Sequence, residues 1–150
     1  MQSSQAVLLA LAGSVLLTSC GPMRRRTEES RDQGGVSRDG GALVLTGVAL
    51  QDGQGGTLLA AMVGKVPSFR VQQRRGQCPE INVRNTTSYV GSTNPSVYVD
   101  GTHATDTCIL EILRAHDVER VEVYPQGFTT RPGYGTHQHG LILVFMRSTG

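Results

Sequence analysis

Leu141-Ile142-Leu143-Val144-Phe145-Met146 is apolar at every position. A half-buried strand alternates, so an unbroken run this short predicts a central β-strand covered on both faces. Such a strand needs neighbours at its edges and a packed layer on each side, and the rest of the chain offers both. Val118–Tyr124 (VERVEVY) alternates, with Val121 and Val123 on one side and Arg120 and Glu122 on the other. That spacing predicts a strand whose Arg120 and Glu122 pair in solvent, an arrangement worth only ~0–1 kcal/mol. Phe69 and Val71 alternate with Arg70 and Gln72, and Ile81 and Val83 point inward from Glu80–Arg84. Ser96–Val99 is a further strand, and the β-leaning Leu43–Leu50 opens the domain.

Two segments carry helical signals. Thr57 can cap a short helix over Leu58–Val63, ended by Gly64, with Leu58, Leu59 and Met62 on one face. Asp106 can cap another over Thr107–Ala115, with Ile109, Ile112 and Leu113 inward and Glu111 and Arg114 outward. Asp100-Gly101 is a turn pair that tolerates positive φ, while Asp52–Gly56, Asn85–Pro95 and Pro125–Gln138 read as loops. The expected fold class is α+β, a small sandwich of about five to six short strands with two short helices.

The N-terminus is of another kind. Ala6–Leu17 is wholly apolar or small, a length that suits the core of a signal peptide and is short for a membrane-spanning helix. Leu17-Thr18-Ser19-Cys20 resembles the lipobox of bacterial lipoproteins, in which the cysteine receives diacylglycerol. No Lys or Arg precedes the apolar run, so a plain secretory signal or an N-terminal anchor is the alternative. The resemblance implies residues 1–19 as signal peptide, Cys20 as the lipidation site, and a mature chain held to a membrane by acyl chains. Gly21 follows the cysteine, where Asp commonly marks inner-membrane retention. The resemblance therefore implies the outer membrane, facing the periplasm. Gly21–Ala42 is polar, glycine-rich and mixed in charge, which predicts a flexible tether over residues 20–42. Its Arg24-Arg25-Arg26 run is placed to touch anionic lipid or to lie solvated.

With Cys20 acylated, Cys78 and Cys108 remain. In an oxidising envelope an even pair reads as a disulfide, worth on the order of 3 kcal/mol for a loop of this size; two buried free thiols are the alternative. The net charge of +2 gives no argument for nucleic acid, and with no Trp there are few stacking platforms for single strands.

The order of these segments is familiar. Thr46–Val71, with its short helix leading into Gly64-Lys65-Val66-Pro67, resembles the start of the plug domain of TonB-dependent outer-membrane receptors. Ile81–Asn85 resembles that family's I-x-[IV]-R-G strand. Pro95–Gly101 resembles its P-hydrophobic-x-[VY]-[VI]-D-G hairpin, and Asp117–Val123 its D-I-E-[RS]-I-E-V strand. Tyr134-Gly135 and Gly140–Val144 follow as its Y-G … G-V-I-x-[IV] ending. The resemblance implies a plug-like domain over residues 43–150, non-enzymatic, with an outer-membrane transport protein as partner and a link to nutrient uptake. There are departures. Ser68 and Asn85 stand where the family has Gly, and Pro125-Gln126-Gly127 replaces its basic-Gly-Pro stretch. No TonB-binding box is visible in the tether, and the family's barrel would begin only at about Gly150. The expectation is a module that is not itself the transporter.

Little else points to chemistry. His137 and His139 sit at alternate positions of an extended segment, and a metal site there would need a third ligand such as His103 or His116. A small metal-binding or metal-dependent envelope enzyme is thus the alternative function, and a receptor remnant that does no more than fold is a third. A polar loop with no metal is the preferred reading, and no cofactor is expected. Gly53-Gln54-Gly55-Gly56 lacks the Lys-Ser/Thr of a P-loop, and no catalytic triad is visible.

Overall fold

A computed structural model describes residues 35–51, 56–84 and 93–148. Eight strands run among these residues: β1 (Val36–Asp39), β2 (Ala42–Thr46), β3 (Arg70–Gln72), β4 (Glu80–Asn82), β5 (Ser96–Val99), β6 (Thr102–His103), β7 (Val118–Tyr124) and β8 (Leu141–Met146). The helices are α1 (Gly47–Gln51), α2 (Leu58–Met62) and α3 (Ile109–Ile112), with a 3-10 turn over Ala115–Asp117. Six strands form one sheet in the order β1-β2-β7-β8-β5-β6, and β3 pairs with β4 separately. Within the large sheet only β5 and β8 run parallel. The class is α+β.

The wholly apolar segment is indeed central. β8 lies between β7 and β5, and Leu141 through Val144 are all buried. Strand alternation sorts the sheet's side chains into two clusters. Leu43 and Leu45, Val121 and Val123, Ile142 and Val144, and Val97 meet Leu50, Leu58, Met62 and Leu110 from the helices, together with Ile81 and Val83. On the opposite face lie Ala42, Val44, Tyr124, Leu141 and Leu143, with Tyr98, Tyr134 and Phe145 packed against them.

Several boundaries move. Residues 36–42, expected to be tether, hold β1 and the start of β2, because Gly40 and Gly41 at positive φ reverse the chain and let Val36–Asp39 pair with Ala42–Leu45. Cys20 and residues 21–34 lie outside the described residues. Leu43–Leu50 divides at Gly47, whose φ of 42° ends β2 and starts α1. Thr57 caps α2 as expected, its hydroxyl accepting from the Ala60 amide at 3.3 Å. The second helix shrinks to one turn. Leu110, not Ile112, is its buried residue, and Ile112 is 71% exposed. Asp106 accepts from the Cys108 amide at 2.9 Å, so it caps the turn that precedes α3. Asp100 and Gly101, both at positive φ, join β5 to β6.

Candidate functional site

The face of the sheet away from the helices is covered by the segment between β7 and β8, residues 125–140. That segment closes on itself through its backbone. The Gly127 amide donates to the Tyr124 carbonyl at 3.0 Å, the His137 amide to the Gly127 carbonyl at 2.7 Å, and the Gly140 amide to the His137 carbonyl at 3.1 Å. Gly127 sits at φ 75°, and a Cβ there would lie 1.6 Å from the His137 carbonyl oxygen, so only glycine allows the two strands of the loop to approach.

Side chains then tie the loop to the sheet. Glu122 on β7 is 3% exposed. The Arg131 guanidinium donates to both of its oxygens, Nε to Oε2 at 2.7 Å and Nη2 to Oε1 at 2.6 Å. The Tyr124 hydroxyl donates to Oε2 at 2.9 Å, and Arg120 Nε lies 3.2 Å from Oε1 without hydrogen-bond alignment. Both guanidiniums stand over the Phe145 ring, at 4.6 Å for Arg120 and 5.3 Å for Arg131. Hydrogen bonding to Glu122 holds Arg131 firmly in its charged form, and burial raises the Tyr124 phenol above its ordinary value. The expectation that Glu122 is solvated is overturned. The face it points to is covered, and burying its charge requires the bidentate partner that Arg131 supplies. With both oxygens accepting hydrogen bonds, this carboxylate is a structural anchor and poorly suited to proton transfer.

Beside the clamp is an aromatic and histidine cluster at the sheet's β5–β6 end. Cross-strand pairing puts Glu122, Leu143, Tyr98 and His103 in one row. The Tyr98 ring meets His103 at 4.8 Å, Tyr134 at 5.0 Å and His137 at 5.7 Å between centroids, all edge-on. Its hydroxyl lies 3.4 Å from His137 Nε2. Burial, and secondarily the charge of His103, hold the His137 imidazole below its ordinary value. At the other end of the loop, Arg84 donates to the Gln138 carbonyl and, at 3.1 Å, to Gln126 Oε1.

The residues singled out from sequence fall in different places. His103 joins His137 around Tyr98, whereas His116 pairs with Asp117 at 3.0 Å on the 3-10 turn. Among the described residues, His137 and His139 do not converge with a third donor. Among the described residues the one grouping of three possible ligands is Cys78, Asp106 and Cys108. Cys78 and Cys108 are disulfide-bonded, with Cα atoms 4.7 Å apart, which joins the turn between β3 and β4 to the start of α3. Thr107 reinforces that junction by donating from its hydroxyl to the Pro79 carbonyl, as does Gln73 Nε2, which donates to Glu111 at 2.7 Å. Sequence reading missed the Arg131–Glu122 clamp and the Tyr98 cluster.

The model of the TonB-dependent Receptor Plug Domain family matches residues 39–138. Among solved structures the chain is similar to the RagAB peptide importer in its closed-closed state, with 18% identity and a TM-score of 0.57. That match covers 75% of this chain and 13% of the other. It is also similar to the ferric yersiniabactin uptake receptor FyuA from Yersinia pestis, with 22% identity and a TM-score of 0.55 over 81% of this chain and 18% of that one. Likeness at these identities concerns the fold, and the chain spans only those small shares of the larger proteins. No curated protein matches the chain in sequence. With the family model spanning most of its length and the motifs falling on the strands expected of them, the chain belongs to the TonB-dependent receptor plug domain family.

Proposed function

We propose that this chain is a lipid-tethered plug module on the periplasmic side of the outer membrane, acting without catalysis as a binding or accessory component of nutrient uptake. The observation that carries the reading is the plug domain itself, matched over residues 39–138 and folded around a buried central β8. Proteins of similar fold include a peptide importer and a ferric yersiniabactin uptake receptor. Plug domains of such receptors are transport components, not enzymes.

The described surface supports binding more than chemistry. Glu122 is saturated with donors, and Cys78 and Cys108 are joined in a disulfide. The sheet ends in short strands, β1 on one side and the two-residue β6 on the other, and edge strands recruit extended partners through backbone groups alone. Cys20 supplies the membrane attachment in this reading, since diacyl and further acyl chains hold a protein stably to a bilayer.

In-cell crosslinking followed by mass spectrometry tests the proposal, with palmitate labelling run on the same cells. The expected outcome is capture of an outer-membrane transport protein by the wild type, with label that disappears in Cys20→Ser. Label retained in Cys20→Ser removes the anchor, and crosslinks that contain no envelope transport protein remove the accessory role.

A further inference from the structure

At one end of the large sheet two opposite charges stand close without meeting. β7 and β8 pair in register from Tyr124 back to Arg120, and the register then shifts between Arg120 and Val118, so Glu119 stands opposite no residue of β8. An extra residue of this kind bends its strand and re-aims a side chain, and it recurs beside functional sites. Just past the end of β8, the Arg147 amide donates to the Asp117 carbonyl at 2.8 Å, which ties the Arg147 backbone to the start of β7. Its side-chain Nε reaches the Val118 carbonyl at 3.5 Å. On the other side of β7, Thr46 pairs with Arg120, and Gly47 follows it with no side chain to fill the space.

Gly47, Glu119, Arg147 and Ser148 line one open cleft of about 390 Å³. Glu119 and Arg147 are both exposed. Among the described residues the Glu119 carboxylate has no hydrogen bond or ion pair, and neither Nη of Arg147 has a partner. The neighbouring charges are committed elsewhere. Asp117 pairs with His116 at 3.0 Å, and Arg120 lies over Phe145 beside Glu122. Either charge alone would be ordinary solvated surface. Both on the wall of one cleft, with neither neutralising the other, leave a gap that a molecule carrying the two complementary charges can bridge.

We propose that this cleft binds a small zwitterion, a free α-amino acid or a short peptide with unblocked ends. The ligand carboxylate accepts from the two Nη groups of Arg147, whose fork matches two carboxylate oxygens. The ligand ammonium donates to Glu119, and the Ser148 hydroxyl stands ready for either end. Water screens both contacts, so each adds no more than about fivefold to affinity, and recognition comes from needing the two together. This inference rests neither on the lipid anchor nor on a transport partner, and its failure leaves both of those readings as they stand.

The test is an amide NMR titration of the full chain carrying Cys20→Ser, with glycine, diglycine and triglycine as probes. Saturable shifts are expected at Gly47, Glu119, Arg147 and Ser148, tightest for the one length that spans the two charges, which tells an amino-acid site from a peptide site. N-acetylation or C-amidation of that probe is expected to weaken it by about fivefold each. Glu119→Gln should weaken the free probe and leave the acetylated one unchanged, and Arg147→Gln should do the same for the amidated one. Shifts elsewhere in the spectrum report whether each variant keeps its fold. Absence of saturable shifts at the cleft overturns the proposal. Equal affinity for all three lengths also overturns it, since one charge alone would then be held, and so does equal saturation by acetate or methylammonium.

Discussion

Arg131→Ala removes the group that allows Glu122 to be buried, and its cost can be worked from the contacts. Two charge-assisted hydrogen bonds vanish, at 2.7 and 2.6 Å. Bonds of this kind contribute about 1.5–3 kcal/mol each. The sum needs reducing on two counts. The Arg131 side chain is 39% exposed against 4% for Glu122, so water screens half of the pair. The Tyr124 hydroxyl and Arg120 also stay in place at 2.9 and 3.2 Å. The expected loss is about 2–3 kcal/mol, below the 3–5 kcal/mol typical of breaking a fully buried pair. Urea unfolding followed by far-UV circular dichroism, with the disulfide intact, measures it. Glu122→Gln in the same background separates charge from shape. If the penalty is a stranded carboxylate, the double variant recovers at least about 1 kcal/mol relative to additivity. A loss under about 0.5 kcal/mol in Arg131→Ala, or strict additivity in the double variant, would show that the pair behaves as an ordinary surface contact and refute the clamp.

Two further outcomes follow from the same loop. Gly127→Ala places a Cβ 1.6 Å from the His137 carbonyl oxygen, whereas Gly133→Ala, also at positive φ, meets nothing within 4 Å. Thermal melts should therefore show Gly133→Ala costing about the 1–2 kcal/mol of left-handed backbone alone, with Gly127→Ala clearly worse; equal costs would contradict the close approach. His137 titrates below its ordinary value in the fold, so the unfolded chain binds the proton more readily. Stability from this group is complete above about pH 6.5, falls as pH drops through that value, and levels off below the depressed folded value. Urea midpoints measured between pH 8 and pH 4.5 should show this slope flattened in His137→Gln, and an unchanged slope would assign it elsewhere.

The sheet was readable because strand periodicity reports which face of the sheet each side chain takes. Six consecutive apolar residues located β8, and VERVEVY located its neighbour with the residue range and sidedness observed. The cysteine pair is readable as a disulfide from an even count in an oxidising compartment, and the bond joins Cα atoms 4.7 Å apart. Short helices read less well. A one-turn α3 has too few residues to express a 3.6-residue period, so Ile112 was assigned to the core while Leu110 occupied it.

The covered face is a different matter, and here the alternation misled by being taken one strand at a time. β8 is apolar toward both faces, so the sheet must be covered on both, and its neighbour β7 shares whatever covers the far side. Glu122 lies directly across from Leu143, and Arg120 across from Phe145. Neither position can then be fully solvated, and a charged residue there needs a partner from outside the sheet. Its identity was not legible, because Arg131 reaches Glu122 from a loop with no period, placed by glycines at Gly127 and Gly140 and by backbone bonds that leave no pattern in residue type. The contacts of Arg131 with Glu122, and of Tyr134 and His137 with Tyr98, all come from the segment between β7 and β8. That segment, held by side chains more than by sheet pairing, is where a partner able to compete for Arg131 would have to act.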